Sequence, residues 1–397
     1  MGQTPPALLR QHLDGRVTQP VAPIPVLHHG PLFSRWTRPP LTWYHICSDE
    51  NEKAVIVGAG VGGLTTAIAL RAIGWEVSIF ERWPRIVAEG TALGIRPDAQ
   101  AGLAGLGLGE RLRERTVPYL RAQIRTPGGR RLADLPLDRI QRRGGAPVRM
   151  LSRVSLIEML VQEVDPATIS TGVEITDPAA LRADYDLVVG ADGVRSAVRQ
   201  AFFAAPTRPR YAGIVAWRGV IQGFEPQDYG ETWGRGQMFG MTPQSPGVTN
   251  WYAPVRTSEG ARETLDDLRA RFAGWHDPIP RVLAAAEEDA VLRHEVHDLA
   301  PPLASYVAGN VALIGDAAHA MTPALGQGAC QALLDAIELA ACLRAQPGDV
   351  ARALRAYDAR RRPAAQRMVT ASRWMTRLAG AGRLARPRNA LMRVLPL

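Results

Sequence analysis

The sequence predicts an α/β protein: a Rossmann-like unit on a parallel sheet, carrying an inserted, mostly antiparallel β-sheet and closed by C-terminal helices. Three observations predict it. The run Lys53 to Arg82 places strand, glycine turn, helix, strand and terminal acid in order. A second buried strand, Val311-Ala312-Leu313-Ile314, runs into Gly315-Asp316 and a further helix. Between them, residues 208–300 turn to short strand-like runs with aromatics and turn residues interleaved.

The first unit is the most specific. Ala54-Val55-Ile56-Val57 is short, apolar and β-branched, as a strand buried on both faces must be. Gly58, Gly60 and Gly63 spell GxGxxG, with Ala59, Gly62 and Leu64 between and after them. Apolar residues at Val61, Leu64, Ile68 and Leu70 predict the helix. Val77-Ser78-Ile79-Phe80 is the second strand, ending on Glu81 and Arg82. The first glycine allows a tight turn, the second admits a pyrophosphate, and the third lets helix pack on strand. The helix N-terminus then offers free N–H groups and a positive dipole to phosphate. Glu81 stands about 20 residues on, where a carboxylate accepts from ribose hydroxyls. An α/β unit that binds nothing is the alternative; five features in register argue against it. The motif alone leaves NAD and FAD open.

Composition narrows the classes. A chain of 397 residues makes one large or two to three ordinary domains. Hydrophobic content of 46% and charged content of 21% read as globular. The net charge of +9 raises nucleic acid as a partner. Lys53 is the only lysine, however, and the arginines are scattered on predicted helices, with no dense basic run and no nucleic-acid motif. Cys47, Cys330 and Cys342 form neither a disulfide framework nor a zinc pattern, so no metal is expected. No apolar run reaches transmembrane length, and no signal-peptide core opens the chain. A reduced, cytoplasmic protein is expected.

Residues 1–50 are proline-rich without a sustained period and are expected to be a disordered leader or linker. Residues 51–207 are expected to form the first part of the nucleotide-binding domain. Within them Leu156, Ile157, Leu160 and Val164 predict a helix, and Asp184 to Val189 includes a buried strand before Asp192-Gly193. Residues 208–300 are expected to be the substrate domain, with strands at Ile214–Trp217, Gln237–Phe239 and Val248–Tyr252 and a helix around Thr264 to Phe272. Residues 301–348 return to the nucleotide-binding domain, and 349–397 read as a helical C-terminal segment.

Three motifs thus stand in order: Gly58–Gly63 with Glu81, Asp192-Gly193, and Gly315-Asp316. With that order and spacing the chain resembles the group A FAD-dependent aromatic monooxygenases, typified by para-hydroxybenzoate and salicylate hydroxylases, over residues 52–385. The resemblance implies FAD, with its adenosine end at Gly58 to Arg82. FAD is long, so a second segment must take the ribityl chain and ring. The resemblance gives Asp316 the ribityl side, Arg153 an FAD contact, and Asp192, backed by Arg195 and Ser196, a role toward both FAD and the nicotinamide cofactor. Pro323 resembles the proline beside the ring. Gly326-Gln327-Gly328-Ala329 opens a helix whose N–H groups would face the flavin edge that becomes negative on reduction. Bland alternatives are capping for Asp192 and Asp316 and a surface-helix arginine for Arg153. His319 is a weak proton-relay candidate by residue type, against a packed, hydrogen-bonded histidine, the favoured reading.

The chemistry implied is hydride transfer from NAD(P)H to FAD, oxygen capture as a C4a-hydroperoxide, and delivery of one oxygen atom to an electron-rich aromatic or polyketide-like small molecule. The partners expected are that substrate and molecular oxygen, with no nucleic acid and no membrane span; oligomeric state leaves no signal. Trp217, Arg218, Met238, Phe239, Trp251 and Tyr252 are candidate cavity walls, Arg218 as partner of a carboxylate or phenolate. A halogenase is disfavoured, since no lysine lies beyond the first strand and no WxWxI motif occurs. An FAD-linked dehydrogenase or reductase without oxygen insertion, and a non-catalytic flavoprotein-fold binding protein, remain as alternatives. One departure from the family stands out: Asp165 to Asp184 is short and proline-punctuated where a strand meander is usual, with Val173 expected near adenine.

Overall fold

The computed structural model describes residues 52–87, 89–203, 207–382 and 384–392, so the expectation for residues 1–50 falls outside the described residues. A six-stranded sheet forms the centre. Its order is Val307–Ala308, Val311–Leu313, Leu187–Gly190, Lys53–Val57, Glu76–Glu81, Ile169–Thr171. All neighbours are parallel except the outermost pair at Val307–Ala308. Helices cover both faces of such a sheet, so its strands must be apolar throughout. Ala54, Val55, Ile56, Leu187, Val188, Val189, Val311, Ala312 and Leu313 are all fully buried. Register sets Val57 beside Gly190 and Gly190 beside Leu313. The three motif turns therefore leave adjacent strands at one carboxyl edge, where open parallel sheets take their ligands.

The second body is a seven-stranded sheet ordered Leu292–Ala300, Arg208–Gln222, Val248–Arg256, Met238–Ser245, Gly230–Trp233, Gln123–Arg125, Arg131–Asp134. The strands expected within 208–300 are extended by a hairpin from residues 123–134, whose first strand runs parallel to Gly230–Trp233. Period two sorts the candidate walls. Trp217, Phe239 and Trp251 pack away from the first body, against helices Leu265–Phe272 and Ile279–Ala284. Arg218 and Tyr252, a cross-strand pair, take the opposite face. The helix at Leu265 starts on a capping box, Thr264 with Asp267.

A three-stranded sheet, Ala92–Ile95, Val148–Ser152 and Val117–Tyr119, lies between the two bodies. Ala92 N donates to Asn250 Oδ1 of the second body at 3.3 Å. The helix Val350–Ala379 then ties everything together. Tyr357 Oη donates to Leu313 O (2.8 Å), Ser372 and Thr376 bond Thr322, and Arg373 Nε donates to Asp298 Oδ2 (2.5 Å). Among the described residues no helix is long and apolar enough to cross a membrane.

Candidate active site

The glycine turn is built by close approach. Gly58 has φ +105°, and a Cβ on it would lie 2.5 Å from Ala191 O. A Cβ on Gly63 would lie 1.9 Å from Gly58 O, so helix Val61–Arg71 seats directly on the turn. At Gly60 a Cβ would meet nothing within 4 Å. The space before the helix N-terminus is open there, as a phosphate requires. Glu81 Oε2 accepts from Ala59 N (2.8 Å) and Oε1 from Trp83 N (3.1 Å), locking the acid over the turn. Arg82 is exposed, its guanidinium over the Trp83 ring at 5.2 Å. The short 165–184 stretch supplies the single strand Ile169–Thr171, and Val173 N donates to Glu81 O (2.9 Å), so Val173 lies beside that acid.

The other two turns are joined through the sheet and through one arginine. Ala191 N donates to Val57 O and Ile314 N to Gly190 O. Asp192 Oδ2 accepts from Val198 N (3.1 Å), so it caps helix Ala197–Phe202, while Oδ1 is buried with no partner. Burial raises its carboxyl pKa. Ser196 also caps that helix, and Arg195 is exposed. Arg199 is buried and spans the gap: Nη1 donates to Ala317 O (2.9 Å) and Nη2 to Val194 O (2.7 Å).

Gly315 adopts φ +55° and Asp316 opens a short helix to His319. Asp316 is exposed although the fold crowds around it, and burial raises its carboxyl pKa against the pull of His319 and Arg153. That combination describes an acid at the floor of a cleft. His319 is 2% exposed and bonds Asp335 Oδ2 through Nε2 at 2.5 Å. Asp335 also accepts from Gly315 N (2.9 Å) and from Arg361 Nε (2.7 Å), and Arg361 reaches Gln331 Oε1 (2.7 Å). Burial alone would raise the Asp335 carboxyl; His319, Arg361 and these donors hold it below its ordinary value. His319 is thus a clamp on the turn, the favoured packed histidine.

Pro323 begins the turn Pro323–Leu325 and is exposed; Gly326 follows with φ +61°. Helix Gly328–Arg344 starts there, with Ala329 in its first turn. Cβ atoms on Gly326 and Gly328 would meet nothing within 4 Å, and buried Gln327 Oε1 has no partner. Arg153 opens helix Arg153–Val161 and donates to Glu89 O (3.0 Å). It also lies close enough to act electrostatically on Asp316, Arg218 and His294. Arg153 therefore bridges the Asp316 turn and the wall of the second body.

These features suit FAD in particular. Gly60 opens before one helix N-terminus and Gly328 begins another, and the carboxylates Glu81, Asp192 and Asp316 stand in or beside the turns at that sheet edge. Asp192 Oδ1 and Gln327 Oε1 are both buried without a partner. Sequence reasoning did not find Arg199, Asp335, Arg361 or His294, since each acts through residues distant in the chain.

A family model described as FAD binding domain matches residues 51–372. The aurachin C monooxygenase/isomerase of Stigmatella aurantiaca is 36% identical, over 80% of this chain and 87% of its own. The FAD-dependent urate hydroxylase of Klebsiella pneumoniae subsp. pneumoniae is 32% identical, over 78% and 85%. The crystal structure of Klebsiella pneumoniae HpxO complexed with FAD and uric acid matches with a TM-score of 0.79 and 29% identity, covering 87% of this chain and 93% of that one. The chain belongs to the FAD-dependent aromatic hydroxylase family, and it is an FAD-dependent monooxygenase.

Proposed function

We propose that this monooxygenase hydroxylates a small anionic aromatic or polyketide-like molecule, using NAD(P)H as electron donor and molecular oxygen as co-substrate. The observation that carries the anionic substrate is Arg218. It sits on the face of the second body opposite its packed core, and among the described residues it has no carboxylate partner. Its charged neighbour is another arginine, Arg153; burial first and then Arg153 lower its pKa. A guanidinium still stays protonated under such pressure, so an enclosed, unpaired one favours an anion. His294, exposed on the neighbouring strand, is pushed down by burial, Arg218 and Arg153, and so is neutral at pH 7.

Bound FAD supplies the oxygen-activating chemistry. The residues that would hold it are Gly58, Ala59, Gly60, Gly62, Gly63 and Leu64 at the pyrophosphate, Glu81 and Arg82 at the adenosine end, Asp316 at the ribityl hydroxyls, and Arg153 and Asp192 alongside. Gly326-Gln327-Gly328-Ala329 would present N–H groups to the ring, with Pro323 beside it. This division supports residues 51–207 and 301–348 as the cofactor domain and 208–300 as the substrate domain, except that the hairpin of residues 123–134 pairs into the substrate sheet. Arg218 orients the substrate; the sheet behind it excludes water. Buried thiols at Cys330 and Cys342 suit a cytoplasmic enzyme.

The test uses labelled oxygen gas with the aromatic acid that most accelerates NAD(P)H oxidation. One labelled atom in the product is expected, and a poor mimic should release hydrogen peroxide instead. An unlabelled, merely desaturated product would overturn the reading in favour of a dehydrogenase. Arg218→Met should raise KM for the anion at least tenfold; an unchanged KM removes Arg218 from the site.

A further inference from the structure

The outer face of the second body carries a set of ligating side chains that the flavin chemistry does not use. Glu295 and His297 stand two residues apart on the edge strand Leu292–Ala300 and so share a face. Their register partners are Val215 and Tyr211. Val215 packs with Trp217 under helices Leu265–Phe272 and Ile279–Ala284, so this face points away from the parallel-sheet body. Between Tyr211 and Val215 the partner strand bulges, with Gly213 at φ +77°. Gly213 O accepts from Thr257 N (3.3 Å), and Tyr211 Oη donates to Thr257 O (3.0 Å). These bonds bring the turn after Arg256 over the edge strand, and Glu259 comes from that turn. One ligating atom from each of Glu259, Glu295 and His297 lies within 4.8 Å of the other two.

Gly260 N donates to Glu295 Oε1 (2.7 Å) and fixes that carboxylate by one oxygen. The His297 ring leans on Tyr211 with centroids 5.8 Å apart, and its Nε2 stands 3.7 Å from Glu259 Oε1, too far for a hydrogen bond. The His297 side chain is 12% exposed and that of Glu259 is 65% exposed, so the imidazole is set in place while the outer carboxylate is free to close. Among the described residues neither glutamate pairs with an arginine. Arg293, two residues before Glu295, donates instead to Ala261 O and lies over the Trp217 ring at 5.5 Å. An imidazole with two carboxylates is a zinc-type donor set, whereas magnesium and calcium take oxygen ligands. Tetrahedral zinc draws its ligands to about 3.4 Å from one another, an approach the exposed Glu259 arm supplies.

We propose that Glu259, Glu295 and His297 bind one zinc ion, with water at the fourth position, and that the ion clasps the 257–261 turn to the edge strand. Its role is structural, since the flavin and substrate lie on the other side of the sheet. Asp298, the next residue on that strand, receives Arg210 and Arg373 on the inner face. Zinc thus secures the outer face of the strand whose inner face carries the junction between the two bodies. The site does not depend on what the enzyme hydroxylates.

The test is calorimetric titration of zinc chloride into the tag-free, FAD-loaded full chain near neutral pH, with melting temperatures read in parallel. The wild type should take up one zinc at this site and melt higher as zinc rises, because a ligand of the folded state alone stabilises it. Magnesium and calcium should bind at least about tenfold more weakly, since neither favours imidazole. Glu259→Gln, at an exposed position, should weaken zinc at least about tenfold, a loss typical even of groups that only support a ligand. His297→Ala should abolish both the binding and the rise in melting temperature. His28, His29 and Cys47 also offer donors elsewhere in the chain. Zinc bound equally by wild type and His297→Ala therefore makes the ion adventitious and overturns the site. Equal affinity for zinc and magnesium overturns it too, leaving an acidic patch, as does a wild type that binds no zinc. Should His297→Ala fail to fold, Glu259→Gln and Glu295→Gln, which keeps an oxygen for Gly260 N, still decide.

Discussion

At the scale of single residues, the glycines of the first turn divide by what surrounds them. Gly63 has no room for a methyl group, whereas Gly60 faces open space. Gly63→Ala should therefore lower the melting temperature of the protein with or without cofactor. Gly60→Val should leave a folded protein that purifies without yellow colour. Full flavin retention by a folded Gly60→Val protein would refute the pyrophosphate assignment. Asp316 permits a sharper test. Burial raises its carboxyl pKa above 3.8. Hydroxyls donating to it favour its ionised form, so FAD binding should expel a proton, and FAD affinity should rise as pH climbs through that raised pKa. Asp316→Asn should flatten this dependence. Asp316→Ala should weaken FAD binding by roughly 1–3 kcal/mol with little loss of fold. Equilibrium titration of the apoprotein with FAD across pH reads both, and unchanged affinity with lowered thermal stability would leave Asp316 as a cap.

At the scale of elements, the turn carrying Asp316 is held from behind. Asp335 on helix Gly328–Arg344 receives Gly315 N, His319 and Arg361, and it is fully buried. Its lowered pKa means that its stabilisation is present above the ordinary carboxylate value of 3.8 and is lost as pH falls through the lower folded value. Thermal melts taken down to about pH 3 should show an acid-labile component that Asp335→Asn removes. The same substitution leaves Arg361 buried beside a neutral amide and should cost about 3–5 kcal/mol at neutral pH. A change below 1 kcal/mol would mean that the clamp is redundant. The helices themselves were largely legible, since Val61–Arg71, Arg153–Val161 and Leu265–Phe272 follow apolar spacing or caps in the sequence. The clamp was not, because Asp335 reads as an ordinary polar position until Arg361, 26 residues on, is folded against it.

At the scale of the whole molecule, one helix decides how the two bodies meet. Val350–Ala379 begins on the parallel sheet through Tyr357 and ends against the antiparallel sheet through Arg373. Asp298, 1% exposed, collects Arg373 Nε and both Arg210 Nε (3.1 Å) and Nη2 (3.0 Å) at that junction. Asp298→Ala should cost about 1.5–3 kcal/mol, the range for hydrogen bonds to a charged group, because the freed arginines are partly solvated. Limited proteolysis should then cut faster near the junction. Equal stability and an unchanged digestion pattern would show that the junction is carried by packing alone.

The sequence by itself determined the features whose cause lies within a few residues. A β-branched run dictates a buried strand, a GxGxxG dictates a turn onto a helix, and the stretch around Thr264 to Phe272 reads as a helix. Those local causes were enough to place the three motifs in order; the FAD-dependent family entered through the resemblance that their order and spacing carry. Tertiary structure alone decided the rest. The strands Val117–Tyr119 and Gln123–Arg125 are three residues long, too short to carry a period, and exist because a neighbour supplies their hydrogen bonds. The faces of the second body followed register: Trp217 and Trp251 went to the core while Arg218 and Tyr252 went to the opposite face, a difference of one residue. Arg199 and Glu231 look like any surface charges in the chain. They became a bridge to Ala317, 118 residues away, and the fixed partner of Tyr252 only because the sheet brought their partners to them.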